Sequence, residues 1–278
     1  MKFCFTVDWE DWYHGLRLPL EETKKFERRI KIGHYILMNL LSKHNIKATF
    51  FLLGEMMEEF PELVQEIKDE GHELACHTYS HPFMIEITKE QFQSEIKYCK
   101  ELIKPFQDSY EGFRAPYFSI NDTNLWALDV LKEEGFIYDS SIFPGNTFRS
   151  GITGFQKEIH ALPNGMLEFP ISNFKLAVLD FGVGGAYFRT LPYKYFKYRL
   201  QNILKQRPGV FYFHPWEFDH KQPYIKGVNQ RAVHTHYHNL HKTEEKIKRL
   251  FTDFEFSPLK EILFENNPVS KKSILSPA

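Results

Sequence analysis

The chain has few cysteines and no long apolar segment. Its three cysteines, Cys4, Cys76 and Cys99, form no CxxC pair and cannot all pair with one another. This argues against a disulfide framework and favours a reducing compartment. No apolar run is long enough to cross a bilayer, and the first fifteen residues, with one lysine followed by acids, make a poor secretory signal. We therefore expect a cytoplasmic protein without a transmembrane segment, with peripheral contact at the inner membrane left open.

The sequence also lacks an excess of either charge. Its 35 Lys and Arg residues stand against 36 Asp and Glu residues, so bulk electrostatics do not favour nucleic acid as a partner. No internal repeat, low-complexity segment or interdomain linker is evident. With 278 residues and 42% hydrophobic content, the chain can bury one large core. We expect one catalytic domain over residues 1–265 and a polar tail over residues 266–278; the sequence leaves the oligomeric state undefined.

Strand and helix patterns alternate along most of the chain. Aromatic and β-branched runs that predict buried strands are followed by stretches with apolar residues at helical spacing. Such alternation predicts a largely parallel sheet with helices outside it. The segment 143–190 interrupts the pattern and predicts loops and short strands. The predicted strands include 2–8, 47–54, 73–78 and 209–215, and the predicted helices include 27–46, 61–72, 88–106, 121–136, 191–204 and 241–254. Asn121 or Asp122 is the predicted N-cap of the fourth helix, and residues 255–263 are predicted as a closing strand and turn.

Reactive side chains follow four of these predicted strands. The carboxyl ends of parallel strands meet at one edge of a sheet or barrel, where active sites are usually found. Side chains from distant parts of the sequence should therefore lie close together there. The residues concerned are Asp8, Glu10, Asp11, His77, His81, Arg114 and His214.

His77 and His81 form an HxxxH pair just after the third predicted strand. A pair of this kind without other support is more often hydrogen-bonded or at the surface than bound to a metal. A nearby carboxylate changes the balance, since two imidazoles and a carboxylate are a three-ligand set typical of catalytic zinc. Asp8, Glu10 and Asp11 could supply that carboxylate, so we favour a metal site.

Arg114 and His214 each have a structural and a functional interpretation. Arg114 could be an ordinary structural arginine, or its planar donors could hold a carboxylate base in one orientation. His214 could be a satisfied core histidine, or it could protonate a leaving group from its place at a strand end.

Five segments in this order resemble the polysaccharide deacetylase family, carbohydrate esterase family four. They are "FTVDWED" (5–11), "HTYSH" (77–81), "RAPYFS" (114–119), "YDSSIFP" (138–144) and "FYFHPWEFD" (211–219). "GGAYFRTLPY" (184–193) together with the "HPWEFD" ending resembles a subgroup linked to bacterial exopolysaccharide gene clusters. The resemblance implies an α/β fold, a distorted (β/α) barrel with fewer than eight regular units. It also implies removal of acetyl groups from sugars with a divalent metal, commonly zinc.

The resemblance assigns a role to each matching residue of this sequence. His77 and His81 would be metal ligands, and Asp8 would be the general base, oriented by Arg114. His214 would be the general acid. The backbone N–H of Tyr117 would help hold the oxyanion. Asp139 would support the arginine or the histidine.

The first motif departs from the family pattern. The family usually has two adjacent aspartates, the second of which binds the metal, and Trp9 occupies that second place here. Glu10 or Asp11 could supply the missing ligand, and the sequence does not choose between them. Because some related enzymes act on amides without metal, the departure also leaves metal dependence open.

The sequence and the resemblance therefore predict a metal-dependent hydrolase that removes N-acetyl groups from a sugar of a bacterial polysaccharide or its precursor. A few aromatic residues could stack on that sugar, such as Trp12, Tyr13, Tyr187 or Trp216. Two alternatives remain. One is an allantoinase-like or other amidohydrolase on the same fold, with or without metal. The other is a degenerate family member that only binds glycan, which the joint presence of the candidate residues disfavours.

Overall fold

The computed structural model describes residues 1–18, 20–146, 150–177, 179–226 and 230–266. The predicted polar tail therefore lies, apart from its first residue, outside the described residues. The strands are β1 Phe3–Trp9, β2 Thr49–Leu52, β3 Glu73–Cys76, β4 Gly112–Phe113, β5 Tyr138–Asp139, β6 His160–Ala161, β7 Leu167–Glu168, β8 Asn173–Leu176, β9 Leu179–Gly182, β10 Gly209–Phe213 and β11 Phe256–Ser257. The helices are α1 Leu20–Thr23, α2 Ile30–Lys43, α3 Gly54–Glu59, α4 Pro61–Asp69, α5 Lys89–Ile103, α6 Trp126–Glu133, α7 Gly185–Thr190, α8 Tyr193–Leu204, α9 Gln230–Tyr237, α10 Thr243–Asp253 and α11 Leu259–Asn266.

The main sheet is parallel over seven strands in the order β10-β1-β2-β3-β4-β5-β7, and β6 adds an antiparallel strand beyond β7. Strand β11 pairs with the start of β1. Two hydrogen bonds connect β10 with the chain that follows β7: Val210 N–H donates to Ser172 Oγ (2.9 Å), and Tyr212 N–H donates to the Val183 carbonyl (3.1 Å). The sheet is a distorted, incomplete (β/α) barrel, which confirms the predicted fold class.

The core is built largely from aromatic side chains on the central strands. All seven residues of β1 are buried, and Phe5 stacks on Phe211 of the neighbouring β10 with ring centroids 5.5 Å apart. Helix α5 begins with a capping box between Thr88 and Gln91 and buries its apolar stripe as the spacing predicts. No described helix is both long and apolar enough to cross a bilayer.

Three local predictions are wrong. Helix α6 begins at Trp126 and not after Asn121 or Asp122, because Asn124 closes a preceding turn by accepting the Asn121 N–H (2.8 Å). The segment 143–190, expected to hold only loops and strands, ends in α7. Residues 255–263, predicted as a closing strand and turn, run into helix α11 instead.

Helix α7 follows a turn that only glycine permits. A Cβ on Gly184 would lie 2.0 Å from the Tyr212 carbonyl oxygen, and the residue has φ +149°. The pair of glycines lets the chain cross close to β10 before the helix begins. A glycine pair inside an aromatic-rich segment predicts a loop, which is why this helix was not expected.

His72, at the start of β3, should make the fold sensitive to acid. Burial lowers its pKa to about 4, and its Nδ1 accepts the Ala48 N–H (3.1 Å), which a protonated ring cannot do. The folded-state pKa lies below the unfolded value of about 6.5, so this stability is present above pH 6.5 and is lost as pH falls towards 4. Relative to His72→Gln, the wild type should lose up to about 3 kcal/mol over that range.

Denaturant unfolding of both proteins from pH 7 to pH 4 checks this expectation. The exposed His241 offers a matched control, since His241→Gln should leave the pH dependence of the unfolding free energy unchanged. Parallel pH profiles for wild type and His72→Gln would contradict the account of His72.

Candidate active site

Glu10, His77 and His81 form a buried group with one ligand atom each within 4.8 Å of one another. His77 Nε2 lies 4.0 Å from Glu10 Oε2, and His81 Nε2 contacts the same oxygen. The other nitrogen of His77, Nδ1, lies 2.7 Å from the Arg114 carbonyl, so it carries the proton and leaves the Nε2 lone pair facing Glu10. Two imidazoles and a carboxylate in this arrangement fit a catalytic divalent metal.

The loop between β3 and α5 turns His81 back towards Glu10. Thr78 and His81 both have positive φ angles, 66° and 60°, which non-glycine residues rarely adopt. Glu95 on α5 fixes the middle of the loop by accepting the N–H groups of Tyr79 (3.1 Å) and Ser80 (3.3 Å). The sequence analysis missed Glu95, which acts here on the backbone that positions a candidate ligand.

The structure places Glu10 in this group and directs Asp11 elsewhere. The Asp11 carboxylate accepts the backbone N–H groups of Trp12 and Arg29, both at 2.7 Å, and so caps the short helical turn that follows. Glu10 Oε1 accepts the indole N–H of Trp216 (3.1 Å). Burial would raise the pKa of Glu10, but the adjacent His81 lowers it well below its usual range, so Glu10 is an ionised carboxylate.

Asp8 and Arg114 form a buried ion pair beside the Glu10–His77–His81 group. Arg114 Nη1 donates to Asp8 Oδ1 (2.7 Å) and to Thr6 Oγ1 (2.7 Å), and its Nε donates to the Ser140 carbonyl (3.0 Å). The guanidinium also lies 4.0 Å from the centre of the Phe51 ring. With one oxygen held by Arg114, the other oxygen of Asp8 faces His214.

His214 points its Nε2 at the two carboxylates. This atom lies 3.8 Å from Asp8 Oδ2 and 3.9 Å from Glu10 Oε1, while Nδ1 lies 2.8 Å from Glu217 Oε1. Burial would lower the pKa of His214, but the hydrogen bond with Glu217 and the charge of Glu10 raise it above its usual value. The site therefore favours a protonated imidazole here.

Asp139 lies below the site and acts on the chain next to Arg114. Its carboxylate accepts the hydroxyl (2.6 Å) and the N–H (2.9 Å) of Ser141, whose Oγ in turn accepts the Ala115 N–H (2.7 Å). It is also paired with Glu168 on the neighbouring strand, and burial raises the pKa of both carboxyl groups. The direct partner of His214 is thus Glu217, which the sequence analysis missed although it lies only three residues away.

Tyr117 occupies a tight turn above the site, with φ 57°. Its hydroxyl donates to the His14 carbonyl (2.7 Å), and its ring centroid lies 4.6 Å from that of His81.

The expectation that Trp12 and Tyr13 stack on a sugar is wrong, because both side chains are fully buried. Trp216 is also buried and packs between the rings of His214 and His236 at 5.0 and 4.1 Å.

Comparison with known families matches two segments of the chain. Residues 35–136 match the polysaccharide deacetylase family model. This segment is therefore similar to the polysaccharide deacetylase family. Residues 140–264 match a second model, described as a domain of unknown function, DUF3473. The narrower subgroup linked to exopolysaccharide gene clusters stays a prediction.

Several curated relatives of this chain carry deacetylase names. A peptidoglycan-N-acetylglucosamine deacetylase of Bacillus cereus is 30% identical over 169 residues, 56% of this chain and 61% of that protein. Chitin deacetylase 2 of Cryptococcus neoformans is 33% identical over 161 residues, 52% and 35%. A peptidoglycan deacetylase of Helicobacter pylori is 34% identical over 114 residues, 40% and 38%. The matched segments thus span less than two thirds of each of these relatives.

Solved structures of the deacetylase family share the fold over nearly the whole chain. A candidate polysaccharide deacetylase from Mycobacterium smegmatis superposes with a TM-score of 0.60 at 17% identity, covering 99% of this chain and 93% of that one. A peptidoglycan N-acetylglucosamine deacetylase superposes with a TM-score of 0.50 at 20% identity, covering 94% and 87%. These likenesses support the distorted barrel as the family fold.

Proposed function

We propose that this chain is a metal-dependent hydrolase that removes N-acetyl groups from a sugar of a bacterial polysaccharide or its precursor. The observation that carries the proposal is the convergence of Asp8 and Glu10 on His214, whose Nε2 lies within 4 Å of both carboxylates, beside His77 and His81. A base, an acid and a metal-ligand set then face one reaction space. The deacetylase names of the relatives support the same reaction class.

Glu10, His77 and His81 would hold the divalent metal, and two imidazoles with one carboxylate suit zinc. When bound, such an ion supplies Lewis-acid chemistry that polarises the acetamide carbonyl. The chain's own contribution is to fix the ligand atoms. His77 is oriented by the Arg114 carbonyl, and Glu10 is oriented by the Trp216 indole.

Asp8 is the proposed general base. Arg114 fixes Oδ1 and leaves Oδ2 open towards the reaction space, where it can accept the proton of the attacking water. The Tyr117 backbone N–H, carried by the left-handed turn, is the proposed donor to the developing oxyanion. Asp139 supports this arrangement indirectly, through Ser141 and the chain next to Arg114.

His214 is the proposed general acid. Its protonated Nε2 can deliver a proton to the departing sugar amine while acetate leaves.

The proposed domain bounds follow from the same residues, because the catalytic residues run from β1 to the end of β10 and one core joins Phe3 to Phe251. We therefore treat residues 1–265 as one catalytic domain. Cys4, Cys76 and Cys99 are free and buried, which suits the proposed cytoplasmic location.

Acetate release from a panel of N-acetylated glycans tests the proposed function. The panel should include N-acetylglucosamine oligomers and peptidoglycan fragments, assayed with zinc present and after chelation. Acetate release that depends on metal supports the proposal. Ring opening of a cyclic amide without acetate release would favour the amidohydrolase alternative, and glycan binding with no turnover would favour the degenerate one.

Trp216 provides a separate test of the metal site. Trp216→Phe keeps the aromatic packing on His214 but removes the indole N–H that holds Glu10. Loss of a hydrogen bond that orients a metal ligand should weaken zinc affinity by about 10–100-fold. Competition with a chromophoric chelator measures it, with Trp126→Phe on α6 as the control. Equal zinc affinity in wild type and Trp216→Phe would contradict the proposed role of Glu10.

A further inference from the structure

Residues 140–264, which match the domain of unknown function, supply further residues of the site besides His214. Glu217, which is fully buried, binds His214 twice through one carboxylate oxygen. Oε1 lies 2.8 Å from His214 Nδ1 and accepts the His214 backbone N–H at 3.2 Å. Because a carboxylate can only accept, this contact keeps a proton on Nδ1 and directs Nε2 towards Asp8 and Glu10.

The second oxygen of Glu217 is held by Arg189 of helix α7. Arg189 Nε donates to Glu217 Oε2 at 2.6 Å, and its side chain is almost fully buried. The other guanidinium nitrogens donate to three carbonyl oxygens at the end of α9, those of Thr235, His236 and His238. A planar donor group fixed at four points holds the carboxylate in a single orientation.

The carboxyl end of helix α7, next to Arg189, is held by a further side chain. Lys246 of α10 donates to the carbonyl oxygens of Phe188 (2.9 Å), Arg189 (2.8 Å) and Leu191 (2.8 Å). The cation thus caps the carboxyl end of α7. A continuous set of buried and half-buried contacts therefore runs from α10 and α9 through Arg189 and Glu217 to His214.

We propose that Glu217 is the positioning residue of His214 and that Arg189 fixes Glu217, so that residues 140–264 complete the catalytic centre. The inference rests on the proposed function for the reaction itself. The orientation of His214 is measurable without that reaction. If Glu217 is removed, the imidazole can rotate, and either nitrogen can carry the proton of the neutral ring.

A double-mutant cycle separates positioning from a general structural effect. E217Q should lower kcat for acetate release by about 10–100-fold, less than loss of the acid itself, with KM nearly unchanged. In the H214A background, E217Q should have no further effect, because Glu217 acts through the missing ring. An equal fold-reduction in both backgrounds would overturn the proposal.

A second measurement tests the proposal even if E217Q misfolds or the wild type shows no activity. E217Q leaves Arg189 buried without its anion, whereas R189M/E217M removes both charges together and leaves no acceptor for the Nδ1–H of His214. Long-range 1H–15N NMR spectra, recorded where His214 is neutral and assigned with H214A, report its tautomer. The wild type should show the Nδ1–H form, and R189M/E217M should show mainly the Nε2–H form. The same Nδ1–H form in both proteins would overturn the proposal, whatever the activity assay shows.

Discussion

Asp8→Asn should lower the turnover of acetate release by about 10²–10⁴-fold, the range typical of losing a general base. Asparagine is nearly the same size as aspartate and can still accept the hydrogen bond from Arg114 Nη1 through Oδ1. It cannot take a proton from water. The loss should therefore appear in kcat far more than in the midpoint of thermal unfolding, because the buried arginine keeps a partner.

Two controls make this substitution decisive. Asp108 is exposed, and Asp108→Asn makes the same chemical change away from the site, so its kcat should equal that of the wild type. Zinc content should also be the same in Asp8→Asn and the wild type, since Asp8 lies outside the Glu10–His77–His81 group. Near-native turnover of Asp8→Asn at equal zinc content would remove Asp8 as the base.

His81→Ala should weaken zinc binding by more than about 100-fold, since even residues that only orient a ligand are worth about 10–100-fold. The residue lies on a loop with a positive φ angle, not inside a strand. Truncation there should cost less stability than truncation of His77, which is fully enclosed at the end of β3. Turnover should fall together with zinc occupancy.

Zinc per chain, measured by mass spectrometry after equilibration with a zinc buffer, checks this result. His241→Ala removes an exposed histidine that follows α9 in the sequence. This variant should keep full zinc occupancy. Restoring saturating zinc should recover part of the occupancy of His81→Ala. An unchanged affinity in His81→Ala would mean that the paired histidines are not the ligands.

Much of the site was predictable because the strands are parallel. Asp8, His77, Arg114 and His214 each follow a short buried run, and parallel pairing places the carboxyl ends of those runs at one edge. Hydrophobic runs alone therefore indicated which side chains would meet. The ordered family motifs added the expected chemistry of each residue.

The choice between Glu10 and Asp11 could have been made from the strand period. Side chains two residues apart on a strand share a face, so Glu10 shares a face with Asp8, and Asp11 does not. The Glu10 N–H also donates to the Asp8 carbonyl at 3.0 Å, which turns the chain just beyond β1. Asp11 instead caps the turn that follows.

The support for His214 was harder to predict. Glu217 meets His214 because residues Pro215–Phe218 form a single helical turn, which the short "HPWEF" pattern permits but does not require. Arg189 on α7 meets Glu217 only because the fold brings α7 next to the Pro215–Phe218 turn, across 28 residues of sequence. Such a contact depends on tertiary structure, and no local period in the sequence indicates it.

Anomalous diffraction from crystals equilibrated with zinc tests the central claim most directly. The account predicts one strong zinc peak about 2.0–2.2 Å from the Nε2 atoms of His77 and His81 and from a carboxylate oxygen of Glu10. Asp8 and His214 should face the open side of that ion. A zinc peak bound elsewhere, or the absence of zinc between the two imidazoles at saturating concentration, would contradict it.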